Sequence, residues 1–387
     1  MENNRITNTI KDTLTIVTTA LPLCLSMAAC CPINNYTGLI AAAFSALFVK
    51  INSDRQIMPV IISFLCFSYT LSAFGIGAAC FSVLLCGLIL IVTAFSGFDV
   101  KSLIFNPAVT AVMQASAIVI TVLQTTNYFG IGATGNTIDE MLASYTSLGF
   151  HPNWRGVLYG TIVMVIMITY PRKLKKTEKA VRATFAALAI TLALNLILNP
   201  SQATSAINEI GSFQFSFGEL FGQIRNFRPS LASFTSSVIS AIALYVSAAY
   251  SLNLNKTAKS SDYLVSGIAN VISSFFGFFV PVRIRKKSEF GLPNIMAAVI
   301  ITVIALTCKD LIARIPLHSC AVVLIVAAWQ SMKWSYYKTA FSNVASITCL
   351  LAVLAFSLLF GITKGVVFAA IFSIVCSLTN QNAKIKQ

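Results

Sequence analysis

Residues 57–96 read IMPVIISFLCFSYTLSAFGIGAACFSVLLCGLILIVTAFS, forty residues without one charged side chain. A membrane-spanning helix needs about 20 apolar residues, so the stretch divides into two, at 57–74 and 76–96. The first is short and carries Pro59 near its start. Similar runs extend on both sides, at 13–31, 37–51, 106–130, 154–171 and 180–199, then 231–252, 263–280, 293–312, 316–332, 344–361 and 363–379. The run 263–280 mixes Ser, Asn and Gly with its apolar residues and reads equally as spanning or interfacial. Of 387 residues, 57% are apolar and 10% charged, with a mean hydropathy of +0.81. Soluble domains have about 45–50% apolar and about 25% charged residues. Soluble globular, disordered and fibrous classes are therefore excluded. The fold class is an all-α polytopic membrane protein of about a dozen crossings.

Charge sets the orientation. The chain carries 27 Lys and Arg against 12 Asp and Glu, a net of +15. Six of these cations (Arg172, Lys173, Lys175, Lys176, Lys179 and Arg182) crowd one connection that holds the single acid Glu178. Basic residues collect in cytoplasmic loops, so this pattern is an orientation signal and not a nucleic-acid surface. The long polar stretch 200–229 balances Glu209 and Glu219 against Arg225 and Arg228. The expectation is 172–182 inside, 200–229 outside, and both termini cytoplasmic in a cell (inner) membrane. The linker 200–229 separates a first half, 1–199, from a second, 230–380, with a cytoplasmic tail at 381–387. Halves that each hold a short, Pro-interrupted segment point to an inverted-repeat transporter, whose half-helix N-termini face an anion at mid-membrane. The candidates are the approach to Pro59 and the stretch 278–291 with Pro281. Ordinary kinked helices are the alternative.

Enzyme chemistry has no constellation here. There is no Gly-rich nucleotide loop, no catalytic carboxylate pair and, with two His in all, no His-based metal cluster. The ten cysteines lie in or beside apolar runs without zinc spacing or a disulfide framework. Met27-Ala-Ala-Cys30 resembles a lipoprotein cleavage box, but the many apolar runs behind it favour an uncleaved first helix. No cofactor is expected.

Several stretches resemble the sulfate-permease (SulP) family of anion transporters. They are Ala20-Leu-Pro-Leu-Cys-Leu-Ser-Met-Ala28 with Gly38-Leu-Ile-Ala-Ala42, and Asn106-Pro-Ala-Val-Thr-Ala-Val112 reaching Gln124 and Asn127-Tyr-Phe-Gly130. Further on come Tyr263-Leu-Val-Ser-Gly-Ile-Ala-Asn-Val-Ile-Ser-Ser-Phe-Phe-Gly277 and the segment from Arg314 to Trp329. They fall in family order over roughly residues 10–380. The resemblance implies two inverted repeats of seven segments, 12–14 of them spanning, which build a core and a gate domain. It implies an anion site between the N-termini of the third and tenth segments and alternating access between the two domains. It also implies a cytoplasmic STAS domain after the last helix; with only 378–387 left, its absence is expected.

The departures fall on the site. Where the family reads Gly-Pro-Thr, this chain has Met58-Pro59-Val60 and loses a hydroxyl. The family's acidic residue of the eighth helix, linked to cation coupling, is matched by Ala243. The tenth segment is shortened to Pro281-Val-Arg-Ile-Arg-Lys-Lys-Ser-Glu289. The candidate substrate-binding residues are Pro59, Val60, Tyr245, Ser247, Arg283 and Arg285. The alternative for Tyr245 and Ser247 is interhelical hydrogen bonding, and for the basic cluster, which includes Lys286 and Lys287, a headgroup anchor. Burying four charges at mid-membrane is prohibitive. Gln124 and Asn127, three residues apart on one helical face, suit interhelical bonds before substrate contact, and His318 a structural role. The expected function is secondary transport of sulfate or a similar oxyanion. Alternatives are bicarbonate or a small carboxylate as substrate, or a transport-incompetent structural relative. The expected partners are a small inorganic anion and the lipid bilayer, with a homodimer left open.

Overall fold

A computed structural model describes residues 2–31, 35–48, 57–96, 106–133, 135, 137–172, 178–199, 227–253, 259–279, 291–332, 341 and 344–385. The elements are α-helices, α1 (Glu2–Ala29), α2 (Asn35–Phe48), α3 (Ile57–Ser96), α4 (Asn106–Phe129), α5 (Ile138–Leu148), α6 (Trp154–Arg172) and α7 (Glu178–Leu198). The second half supplies α8 (Leu231–Asn253), α9 (Ser260–Ser274), α10 (Leu292–Thr307), α11 (Lys309–Ile312), α12 (Leu317–Ser331), α13 (Val344–Phe360) and α14 (Ile362–Ile385). Four helical stretches among the described residues are long and apolar enough to cross a bilayer unaided: Ile6–Ala29, Pro59–Ser96, Pro107–Phe129 and Leu231–Leu252. Seven shorter apolar helices accompany them. The chain is an integral membrane protein of the all-α polytopic class.

The boundaries largely follow the apolar runs, although α1 begins at Glu2, well before the run at 13, and α9 ends at Ser274, before the run 263–280 does. The run 293–312 breaks at Cys308, where α10 ends and a one-turn α11 begins. The helix α5 lies where no apolar run exists; Thr137 caps it by accepting a hydrogen bond from the Glu140 amide, and acids occupy its first turn.

Gly75 is the hinge of the opening sequence. Its φ of 82° and ψ of 172° interrupt α3 in a backbone region essentially reserved for glycine. A straight helix from Pro59 to Thr93 would run about 50 Å at roughly 1.5 Å per residue. Yet Pro59 and Thr93 both touch one turn of α8, at Ser247 and Tyr245. The stretch therefore doubles back at Gly75, giving two antiparallel segments as the sequence division at 57–74 and 76–96 expected.

In the core-and-gate arrangement of inverted repeats, α1, α2, α3, α8, α9 and α10 fall on one side and α4, α6, α7, α12, α13 and α14 on the other. Within the first, α3 packs on α8 and α9, and α2 on α1 and α10; within the second, α12 packs on α4 and α6, α13 on α4 and α14, and α6 on α7. The two sides meet where α1 packs on α7 and α12, and α8 on α14. Each group draws helices from both halves of the chain. That interleaving is the inverted-repeat, core-and-gate arrangement. Small residues permit the closest approaches. A Cβ on Gly38 would lie 2.4 Å from the Cβ of Ala28, and one on Gly87 would lie 2.8 Å from the Gly267 carbonyl oxygen. Both Gly38 and Gly267 sit in the stretches that carry the family resemblance.

Candidate functional site

The first candidate region is the start of α3. Its amides would face an anion if the end were open. Pro59 and Val60 are buried, and the Ser247 hydroxyl donates to the Pro59 carbonyl at 2.7 Å. Ser63, one turn along α3, donates to the Ser247 Oγ at 3.0 Å. Ser240 donates to the Cys66 carbonyl at 3.3 Å, and Ser237 to the Ala78 carbonyl at 3.1 Å. Serines 237, 240 and 247 recur at helical spacing and make one face of α8 a polar seam against α3. Ala243 lies in the same helix and is wholly buried. Tyr245 meets Thr93 through their hydroxyls at 3.1 Å. Beside this region Phe67 and Phe279 pack with ring centroids 5.5 Å apart, and a small void of about 40 Å³ is lined by Cys24, Phe64, Phe278 and other almost wholly apolar residues. Among the described residues of that lining none carries a charge.

The second region is a polar cleft of about 740 Å³ between the two helix groups. One wall comes from the end of α1 (Cys30, Cys31) and from the first segment of α3 (Ser68, Tyr69, Ser72). The facing wall comes from α4 (Gln124, Thr126, Asn127), the start of α5 (Thr137, Glu140) and the α13–α14 junction (Gly361, Thr363). Thr126 braces the turn after α4 by donating to the Ala133 carbonyl at 3.0 Å. The Asn127 amide donates to the Gln124 carbonyl oxygen at 2.9 Å. This bond lies within α4, where the sequence suggested an interhelical one, because the cleft leaves that face without a helix to meet. Cleft hydroxyls and amides can solvate a small polar solute without a metal. Among the described residues no group of three or more His, Cys, Asp or Glu could hold one.

The four sequence-chosen residues that the structure describes do not line the cleft. Pro59, Val60, Tyr245 and Ser247 cluster at the α3–α8 seam, and none of the four lines the cleft. Arg283 and Arg285, with Lys286 and Lys287, lie outside the described residues, as does almost all of the 200–229 linker. His318 is fully buried against Gly156 and Gly130, in keeping with a structural role. Sequence reasoning missed Ser68, Tyr69, Ser72, Thr126, Glu140 and Thr363. A signal existed for α3: Ser68 and Ser72 are four residues apart, a polar stripe on a segment whose other polar side chains are Ser63, Tyr69 and Thr70.

No protein-family model and no curated protein matches the chain. Solved structures do. The transmembrane domain of a cyanobacterial bicarbonate transporter, BicA, matches with a TM-score of 0.70 at 15% identity, over 92% of this chain and 96% of that one. The murine Slc26a9 anion transporter in its inward-facing state matches at 0.72 and 12% identity, over 96% and 68%. A structure of SLC26A9 matches at 0.73 and 13% identity, over 97% and 66%. This is the fold of an anion transporter's transmembrane domain. At such identities the likeness establishes fold alone, and the chain spans about two-thirds of the SLC26A9 chains.

Proposed function

We propose that this chain is a secondary transporter that carries a small inorganic anion across the membrane by alternating movement of core against gate. The observation that carries the reading is the position of the 740 Å³ cleft. It is walled by α1 and α3 of the core and by α4, α5 and the α13–α14 junction of the gate, so relative motion of the two groups opens or closes it. The fold shared with anion transporters supports the substrate class. Sulfate and similar oxyanions, bicarbonate and small carboxylates all fit the volume. With both termini cytoplasmic, the ends of α1 and α4 lie outside, and the cleft faces outward.

A second reading has one observation in its favour. At the start of α3 Ser247 is engaged in an interhelical bond to the Pro59 carbonyl, and Val60 offers no hydroxyl there. A transport-incompetent relative with a structural role would tolerate both. Reconstitution decides between them: the purified chain in proteoliposomes should catalyse saturable uptake or exchange of sulfate, bicarbonate, chloride or formate. Folded protein that moves none of them would establish the structural role.

A further inference from the structure

Among the described residues the N-termini of α5 and α14 both line the cleft, and they differ. Thr137 caps α5, and acids fill its first turn. At α14 the Gly361 carbonyl accepts from the Gly365 amide at 3.0 Å, so the amides of Ile362, Thr363 and Lys364 have no acceptor within the helix. Gly361 has no side chain to cap them. Its φ is 90°, and a Cβ there would meet nothing within 4 Å, so the space before the helix is open. No acid stands in this first turn, where one would be stabilising; Lys364 stands there instead, exposed.

Thr363 is only 4% exposed and lines the cleft, yet its hydroxyl has no hydrogen-bond partner among the described residues. The neighbouring Cys66 thiol falls short of hydrogen-bond geometry with it, and a thiol is a weak partner in any case. A buried hydroxyl left unpaired costs free energy, and a solute in the cleft would recover it. Free amides, a donor hydroxyl and about half a positive charge are what a small oxyanion binds at a helix end. We propose that the N-terminus of α14, with the Thr363 hydroxyl, is an anion subsite on the gate wall of the cleft and takes a small oxyanion. The proposal rests on the transport reading and names where the cleft holds its anion. Ser68 and Ser72 of α3 line the same cleft from the core side.

Binding and transport are measured separately. The purified chain in nanodiscs is titrated with sulfate, bicarbonate and formate at fixed pH and ionic strength, and affinity is read from the rise in unfolding midpoint, since a ligand of the folded state stabilises it. At least one of the three should bind wild type saturably. For that anion Thr363→Val, which keeps the shape and loses the hydroxyl, should weaken affinity about tenfold, and Thr363→Ser should keep it. Gly361→Asp and Gly361→Asn share one backbone conformation and differ in charge. The carboxylate, set beside the same amides, should weaken affinity about threefold or more beyond the neutral amide. Affinity unchanged in folded Thr363→Val overturns the subsite, and proteoliposomes of wild type that still exchange the anion leave transport standing. Should Thr363→Val not fold, equal affinities in the Gly361 pair overturn the subsite. Wild type that binds none of the three overturns it as well. Binding that follows the expected pattern, in a chain that exchanges no anion, upholds the subsite and overturns transport.

Discussion

The Ser247 hydroxyl donates to the Pro59 carbonyl at 2.7 Å, joining α8 of the second half to the start of α3 in the first. Serine at this position ties two helices across the repeat boundary, at the place where the family resemblance expects an anion. Ser63 donates to the Ser247 Oγ, so Ser247 acts as donor and acceptor at once. Ser247→Ala should cost about 1–2 kcal/mol, as both bonds go. Ser63→Ala should cost less, because Ser247 keeps its bond to Pro59. Thermal unfolding in detergent, followed by intrinsic fluorescence, should rank them in that order; a reversed ranking would show that the seam is held elsewhere.

Gly87 and Gly267 set the closest contact between α3 and α9. A Cβ on Gly267 would lie 2.6 Å from Ile91 Cγ1 and 2.8 Å from the Gly87 carbonyl oxygen. Gly87→Ala or Gly267→Ala must push the helices apart, at about 1–3 kcal/mol each. Unfolding midpoints should fall for both, and the double variant should cost less than the two together, since the first already separates the helices. Strict additivity would mean that the two glycines do not share one contact.

Transport should not depend on sodium. The Ala243 side chain is fully buried on α8 and supplies no oxygen ligand, whereas a hard cation wants carboxylate or carbonyl oxygens. Replacing sodium with choline at constant pH and membrane potential should leave the uptake rate unchanged. Abolished uptake would locate a sodium site that bypasses Ala243.

On the transport reading, with no hydroxyl at Val60, anion binding is expected to rest on Arg283 and Arg285, which lie outside the described residues. A helix N-terminus supplies only about half a charge, and guanidinium suits an oxyanion by its two-pronged donor geometry. The Arg283→Gln/Arg285→Gln double variant should raise the half-saturating anion concentration about tenfold or more, the loss of a charge-assisted contact, with yield and membrane insertion intact. Lys286→Gln and Lys287→Gln should change little. Wild-type affinity in the double variant would leave the cluster a headgroup anchor.

Orientation follows from the cationic 172–182 connection. In a background without native thiols, a cysteine at Ile210 should react with an impermeant maleimide added outside, and one at Thr177 should not. The opposite labelling would turn the molecule over and make the cleft face the cytoplasm.

Sequence alone determined the class of this protein and the course of its helices. Forty uncharged residues at 57–96 have no stable home outside a bilayer, and the apolar runs end where α1, α3, α4 and α8 end. Period and polarity are local properties, so they survive in one dimension. Neither of the main site features is local. Ser247 and Pro59 are 188 residues apart, and nothing in either neighbourhood announces that one bonds the other. The cleft is assembled from six separate helices, with α5 among them although its amphipathic sequence sits outside every apolar run. Tertiary structure decided that Ser68, Gln124, Glu140 and Thr363 face one space, because that depends on how Gly75 folds α3 back and on how core and gate helices drawn from both halves interleave.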